Sequence, residues 1–335
     1  MRLIKYAAVA LILCITAAIA AFMIWQKSCS DFLKDTRVSG MYIIEQGSSY
    51  PQIYAILFGD QATPKGFHSY LTRIKKIDRS LHYGYYEAND ISLAELLDNV
   101  LAGKETLAKV TFPEGYNMYD VAKAIAAAEI ADYDAMMAVF RDRALVAELT
   151  GNSYESLEGF LAPGTYFFQK KHSPVGIARK MVSDFYASLP ADFEAKVARQ
   201  GLSFYDAVTL ASIVQKETYS AQEAPVVASV YLNRIKTKML LQADPTIIYG
   251  IYESFDGPIQ IRYKDLRDAS NRFNTYVHKG LTPTPIASPS AIALAAVAAP
   301  ATTDYYYFVA TDNGMHQFSR SYEEHARYVR QYQMR

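Results

Sequence analysis

One glutamate of this chain sits where its neighbours could keep it protonated. In the run SFYDAVTLASIVQKET, Ser203 and Asp206 read as a capping box that opens a helix, and Phe204, Ala207, Leu210, Ala211 and Val214 follow at helical intervals. Glu217 falls one turn beyond Ile213 and Val214 and two turns beyond Leu210, at the border of that apolar face, while Lys216 points away. Burial disfavours the ionised form of a carboxyl, so apolar neighbours raise its pKa. A carboxyl still protonated near neutral pH is a general acid, the group that protonates a departing glycosidic oxygen. The bland alternative is a solvated glutamate that happens to end a helix.

Glycoside cleavage by water needs a second carboxylate, about 6.5 to 9.5 Å away for inversion and about 5 to 5.5 Å for retention. Asp244 and Glu223 are the nearby candidates in sequence. Asp244 stands before Pro245 and TIIYG, which reads first as a helix cap with proline at the first helical position and second as a nucleophile. Glu223, two residues before Pro225, suits a helix N-terminus. Gln242 and Asn274 either hydrogen-bond sugar groups or fasten loops to the core. Other mechanisms lack their residues: there is no glycine-rich phosphate loop, no G-x-S-x-G elbow and no H-E-x-x-H pair. His68, His82, His172, His278, His316 and His325 are scattered, with no ligand pair at i, i+3 or i, i+4, so no metal and no cofactor is expected. His316 and His325 read as structural or surface residues, His316 the nearer to a site because it follows a turn at residues 312–314.

The elements that must position Glu217 belong to a chain of 335 residues that is 51% hydrophobic and balances 34 Lys and Arg against 34 Asp and Glu. It can bury a large core and carries no electrostatic bias toward nucleic acid. Its 27 tyrosines suit stacking on sugar faces, although any single one is as readily a packing residue. Residues 6–25 carry no charge and span about 30 Å as a helix, enough for a bilayer core. Arg2 and Lys5 before this run favour a cytoplasmic N-terminus over residues 1–5, with everything after the anchor exported. A cleaved signal peptide is the weaker alternative, since Trp25, Gln26 and Lys27 make no small-residue cleavage site. Cys14 inside the span and Cys29 outside it provide no disulfide framework.

Beyond a short polar tether, strand, turn and helix recur: MYII and the helix ending near Phe58, GYYEA and ISLAELLDNVLAG, KVTFPEG and YNMYDVAKAIAAAE, then GTYFF and SPVGIARKMVSDFYASL. A soft boundary falls near Lys109, separating residues 26–108 from residues 109–335. The later part continues with the Glu217 helix, VVASVYLNRIK, a loop stiffened by Pro283, Pro285 and Pro289, the helix AIALAAVAA, an aromatic hairpin and an amphipathic helix. The fold class is α+β, with an N-terminal transmembrane helix, a small α/β subdomain and a mixed α/β domain.

The blocks LASIVQKET, VASVYLNRIKTKMLLQADPTIIYG, FNTYVHKGLTPTPIASP and YYYFVATDNGMHQFS, in that order, closely resemble the YceG-like endolytic murein transglycosylase family. VTFPEGYNMYDVAKAI and LEGFLAPGTYFF resemble earlier blocks of the same family. The resemblance implies a single-pass protein of the bacterial cytoplasmic (inner) membrane whose catalytic domain, residues 109–335, lies on the outer side behind a LysM-like subdomain. It implies cleavage of the MurNAc-to-GlcNAc β-1,4 bond within nascent glycan strands, leaving a 1,6-anhydro-MurNAc end, with Glu217 as the single catalytic acid and base. Gln242, Asp244, Thr246, Asn274 and Tyr276 fall in the matching blocks and are expected to bind substrate. Gln215, Ala243 and Phe273 depart from the family pattern. Peptidoglycan is the expected partner, together with peptidoglycan synthases; the rival reading is a catalytically silent wall-binding scaffold for those synthases.

Overall fold

A computed structural model describes residues 2–59, 61–77, 81–252, 260–312 and 314–333, with side chains described from Tyr6 onward except at Tyr252. The side chains of Arg2 and Lys5 and residue 313 of the expected turn lie outside that set. The chain divides into two compact units, Met1–Ala108 and Lys109–Arg335.

The first unit begins with helix α1 (Arg2–Asp35), whose stretch from Tyr6 on is long and apolar enough to cross a membrane. No polar tether follows. The helix runs on to Asp35 because Cys29 and Leu33, one turn apart, are sunk in the core of this unit with Phe32 packed beside them. Strand β1 (Arg37–Ile44) leads to α2 (Tyr50–Phe58), the one-turn α3 (Phe67–Ser69) with a π turn over Tyr70–Ile74, strand β2 (Gly84–Ser92) and α4 (Leu93–Leu101). β1 and β2 pair antiparallel from Val38 opposite Ile91 to Ile44 opposite Gly84. β2 extends to Ser92, whose side chain then caps α4 by accepting from the Glu95 N–H. Ile53, Leu57, Phe67, Tyr86, Leu96 and Val100 fill the space between sheet and helices.

Strand β3 (Leu107–Phe112) crosses the boundary, and the second unit continues with α5 (Met118–Ala127), α6 (Tyr133–Phe140), α7 (Arg143–Thr150), β4 (Gly164–Gln169), α8 (Pro174–Ser188), α9 (Phe193–Arg199) and α10 (Phe204–Glu217). Then come α11 (Ala224–Lys236), α12 (Asp244–Tyr252), α13 (Ala291–Ala298), the antiparallel hairpin of β5 (Tyr307–Ala310) and β6 (His316–Ser319), and α14 (Tyr322–Tyr332). β3 pairs with β4 and β5 with β6 in separate two-stranded sheets, so helices carry most of the packing.

Helix α10 is the centre of that packing. Every residue from Ala207 to Gln215 is buried, and α11, α12 and α13 all lie against the helix. Its polar side chains are absorbed locally: the Thr209 hydroxyl donates to Tyr205 O and the Ser212 hydroxyl to Thr209 O. The proline-rich segment does not line an open cleft near Glu217; residues 284–290 are buried against α10, with Ile286 N–H donating to Ser212 Oγ and Ser290 N–H to Gln215 Oε1. Prolines suit this course because they bring no N–H that burial would leave unpaired.

The capping box is formed as the sequence implies: Ser203 Oγ accepts from Asp206 N–H at 3.1 Å and donates to the Asp206 carboxylate at 2.7 Å. Ser203→Ala should therefore destabilise the protein by about 1 kcal/mol. Denaturant melts of the full chain would read this as a lower midpoint with an unchanged slope.

Candidate active site

Glu217 ends α10, where Thr218 turns the backbone out of the helix with φ −150° and ψ 144°. The residue is half-buried, and its Oε1 accepts a hydrogen bond of 2.8 Å from the hydroxyl of Tyr231 on α11. Burial pushes the Glu217 carboxyl above its ordinary pKa; the Tyr231 hydrogen bond opposes this, the charge of Asp244 adds to it, and His316 and Arg234 oppose it. Tyr231 is itself 1% exposed, and burial together with Glu217 holds its phenol far above the ordinary value, so it keeps its proton and donates.

A cleft of about 690 Å³ opens at this carboxyl, and Gln242, Asp244, Tyr276, Tyr307 and His316 share its lining with Glu217 and Tyr231. Asp244 Oδ1 accepts from the Tyr276 hydroxyl at 2.6 Å. Asp244 is not spent on capping α12, since the N–H of Thr246, two residues on, turns to Ala243 O instead. Arg234 also borders the cleft, yet its guanidinium is committed: Nε donates to Tyr306 O at 2.6 Å, Nη1 to Leu241 O at 2.7 Å, and the group lies 5.3 Å from the centre of the Tyr307 ring. It joins α11 to β5 and to the segment before α12. His316, the first residue of β6, is gripped twice by buried Glu223: its main-chain N–H donates to Oε1 at 2.6 Å and its Nδ1 lies 3.0 Å from Oε2.

Two of the sequence-derived binding residues stand away from the cleft lining. Asn274 is fully buried, and its amide donates to Asp265 O and Asp268 O while its oxygen accepts from Tyr276 N–H. Thr246 is also fully buried, between Ala243 O and the Thr275 hydroxyl. For Asn274 these are the loop-fastening bonds of the alternative reading, whereas the sequence reading of Thr246 is substrate binding alone. Gln242 does face the cleft, with φ 50° at a non-glycine residue, and Gln242 N–H and Ala243 N–H both bond Thr275. Gln215 points into the core toward Ser290. Phe273 packs against Tyr249 with ring centres 4.8 Å apart, where a hydroxyl would have no place in the cleft.

Sequence reasoning missed Tyr231, Arg234 and the Glu223–His316 clamp. Tyr231 and Arg234 are three apart in VASVYLNRIK, so a polar pair on one face of an otherwise apolar helix was the available signal. Glu223 and His316 are 93 residues apart and offered none. Among the described residues no group of three or more His, Cys, Asp or Glu side chains is placed to hold a metal.

The YceG-like family model matches residues 42–331, and the chain belongs to this family. It is 28% identical over 322 residues to the endolytic murein transglycosylase of Bacillus subtilis, covering 91% of this chain and 88% of that protein. It is 24% identical over 283 residues to the endolytic murein transglycosylase of Streptococcus pneumoniae, covering 74% of this chain and half of that protein. The crystal structure of a YceG-like protein of Listeria monocytogenes superposes with a TM-score of 0.59 at 27% identity, covering 88% of this chain and all of that one.

A fully buried carboxyl, Glu158, lies outside the cleft. It is 0% exposed and accepts from Met118 N–H at 3.0 Å, the Tyr249 hydroxyl at 2.9 Å and Gly159 N–H at 3.2 Å, yet burial still raises its pKa to about 7. Gly159 itself has φ +83°, and a Cβ there would stand 2.5 Å from Pro285. Because the folded-state pKa of Glu158 lies above the unfolded value, its contribution to stability is fully present below the unfolded pKa and is lost as pH rises through about 7. Melting curves across this range should therefore show the advantage of wild type over Glu158→Gln shrinking as pH increases.

Proposed function

We propose that this protein is a membrane-anchored lytic transglycosylase that cleaves the MurNAc-β-1,4-GlcNAc bond of peptidoglycan and leaves a 1,6-anhydro-MurNAc end. The observation that carries this is the Glu217 carboxyl, desolvated at the wall of a cleft and held by a phenol that keeps its own proton. The names of the Bacillus and Streptococcus relatives support it. As acid, Glu217 protonates the glycosidic oxygen while positive charge develops at the anomeric carbon. As base, it recovers a proton from the C6 hydroxyl of the same MurNAc as that oxygen closes on C1. No water is consumed. Tyr231 stabilises the carboxylate in the interval without quenching the acid, because its single hydrogen bond is outweighed by desolvation.

Helix α1 anchors the protein in the cytoplasmic membrane and holds the second unit among emerging strands on the outer side; its apolar length supports this. The strand, helix, helix, strand order of the first unit, closed by an antiparallel pair, supports a LysM-like grip on the same polymer. Such a grip raises the effective concentration of cleft on strand. The physiological role that follows is terminating glycan polymerisation beside peptidoglycan synthases.

The full chain in detergent, incubated with glycan strands, should release fragments whose masses carry anhydro ends. A gain of one water would establish hydrolysis instead, and no cleavage would favour the silent scaffold. Glu217→Gln keeps the volume and removes the transferable proton, so kcat should fall by at least about 10³-fold with the melting temperature little changed. A Gln variant that retains wild-type turnover would exclude Glu217 as the acid.

A further inference from the structure

We propose that Asp244 is a second catalytic carboxylate, the anion that stabilises positive charge at the anomeric carbon while Glu217 moves the protons. This rests on the transglycosylase reading of the cleft and adds to it a second functional group.

The need comes from stereochemistry. The departing oxygen leaves from the β face of the MurNAc ring, and the C6 oxygen that forms the anhydro bridge reaches C1 on that same face. One carboxyl on the β face can therefore serve both proton transfers. Between them, the C1–O bond has broken, its electron pair has left with the GlcNAc oxygen that took the Glu217 proton, and C1 is cationic. The step ends when C6–O bonds to C1 and its proton returns to Glu217, so atoms and charge balance without any other reactant. A fixed negative group that does not itself have to move a proton would add stabilisation of that cation beyond what the ionised Glu217 supplies.

Among the described residues lining the cleft, Glu217 and Asp244 are the two acids. Their surroundings differ in the way that separates an acid from a stabilising anion. Glu217 is tucked against Tyr231, whereas Asp244 is exposed and directed to the cleft. Its orientation is fixed: the Tyr276 hydroxyl donates to Oδ1 at 2.6 Å, and burial followed by Asp244 itself keeps the Tyr276 phenol well above its ordinary pKa, so the donor stays protonated. The chain around Asp244 is locked to the Tyr276 segment through Thr275, which bonds Gln242 N–H, Ala243 N–H and the Thr246 hydroxyl. Buried Asn274 in turn accepts from Tyr276 N–H. The other four sequence-derived binding residues thus converge on holding the Asp244 carboxylate in place. The two acids also sense one another, since the Asp244 charge helps to keep the Glu217 proton on.

Asp244→Asn, which preserves shape and removes charge, tests this. The expected result is a fall in kcat of about a hundredfold with KM changed only a few-fold and anhydro ends still the product. Glu217 is faced by Tyr231 and Arg234 from α11, Asp244 from α12, Tyr276 from the segment after Asn274 and His316 from β6. Of these, the variant deletes one like charge, so Glu217 ionises at lower pH and the alkaline limb of the kcat/KM profile moves down. Carbon-13 NMR of the Glu217 carboxyl, assigned with Glu217→Gln, should show the same displacement. Tyr276→Phe, which leaves the charge but frees its orientation, should lower kcat less. Turnover near wild type in Asp244→Asn, a loss confined to KM, or an unmoved Glu217 titration would overturn the proposal while the transglycosylase reading stands. A wild-type protein that makes no cut at all would sink that reading and this one together.

Discussion

The second unit is organised by the cost of leaving water at one carboxyl. An ionised carboxylate taken out of water without a partner loses several kcal/mol. A hydrogen bond to a charged group returns about 1.5 to 3 kcal/mol. With only one short bond from Tyr231 to oppose it, desolvation raises the Glu217 pKa. To hold the carboxyl at that point, α10 has to be immovable, and its burial from Ala207 to Gln215 beneath α11, α13 and the proline segment supplies the rigidity. The helix ends two residues later, so Glu217 emerges from packed core directly into the cleft.

The cleft walls follow from the same need for rigidity. Arg234 could have been a mobile cation beside the acid, but three carbonyl bonds and the Tyr307 ring turn it into a strut. It opposes the raised pKa of Glu217 only weakly against desolvation, the largest influence there. Glu223 engages both the main-chain N–H and the Nδ1 of His316, which fixes the orientation of the imidazole. Buried polar groups here are paired with main chain more than with one another, which fixes loops in register and leaves few ways to repack them.

Local pattern carried the parts of this arrangement that depend on near neighbours. The helix around Glu217, its capping box and the apolar span of α1 are all stated within single runs of sequence. Long-range pairings were not legible. The continuation of α1 past Trp25 turns on Cys29 and Leu33 meeting a core assembled from residues far along the chain, so polar neighbours such as Lys27 and Ser28 suggested a tether where a helix stands. Asn274 and Thr246 share their blocks with Tyr276 and Asp244, and sequence position cannot say which member of a block faces the cleft and which faces the core. The proline segment likewise reads only as a stiff loop, because a Pro-rich run looks alike whether its missing N–H groups face water or a helix.

Glu158 and Glu217 show why a raised pKa alone does not make a catalytic acid. Both are desolvated, and both hold their protons more tightly than a solvated glutamate. Glu158 spends its oxygens on two main-chain N–H groups and the Tyr249 hydroxyl and has no exposed surface, so a ligand has no access to its proton. Glu217 accepts one side-chain bond on one oxygen and borders a cleft large enough for sugar rings. Its hydrogen-bond donor, Tyr231, is anchored in the core, which fixes the geometry at Oε1. The difference between a structural acid and a chemical one is therefore a carboxyl at the wall of a space that can be filled.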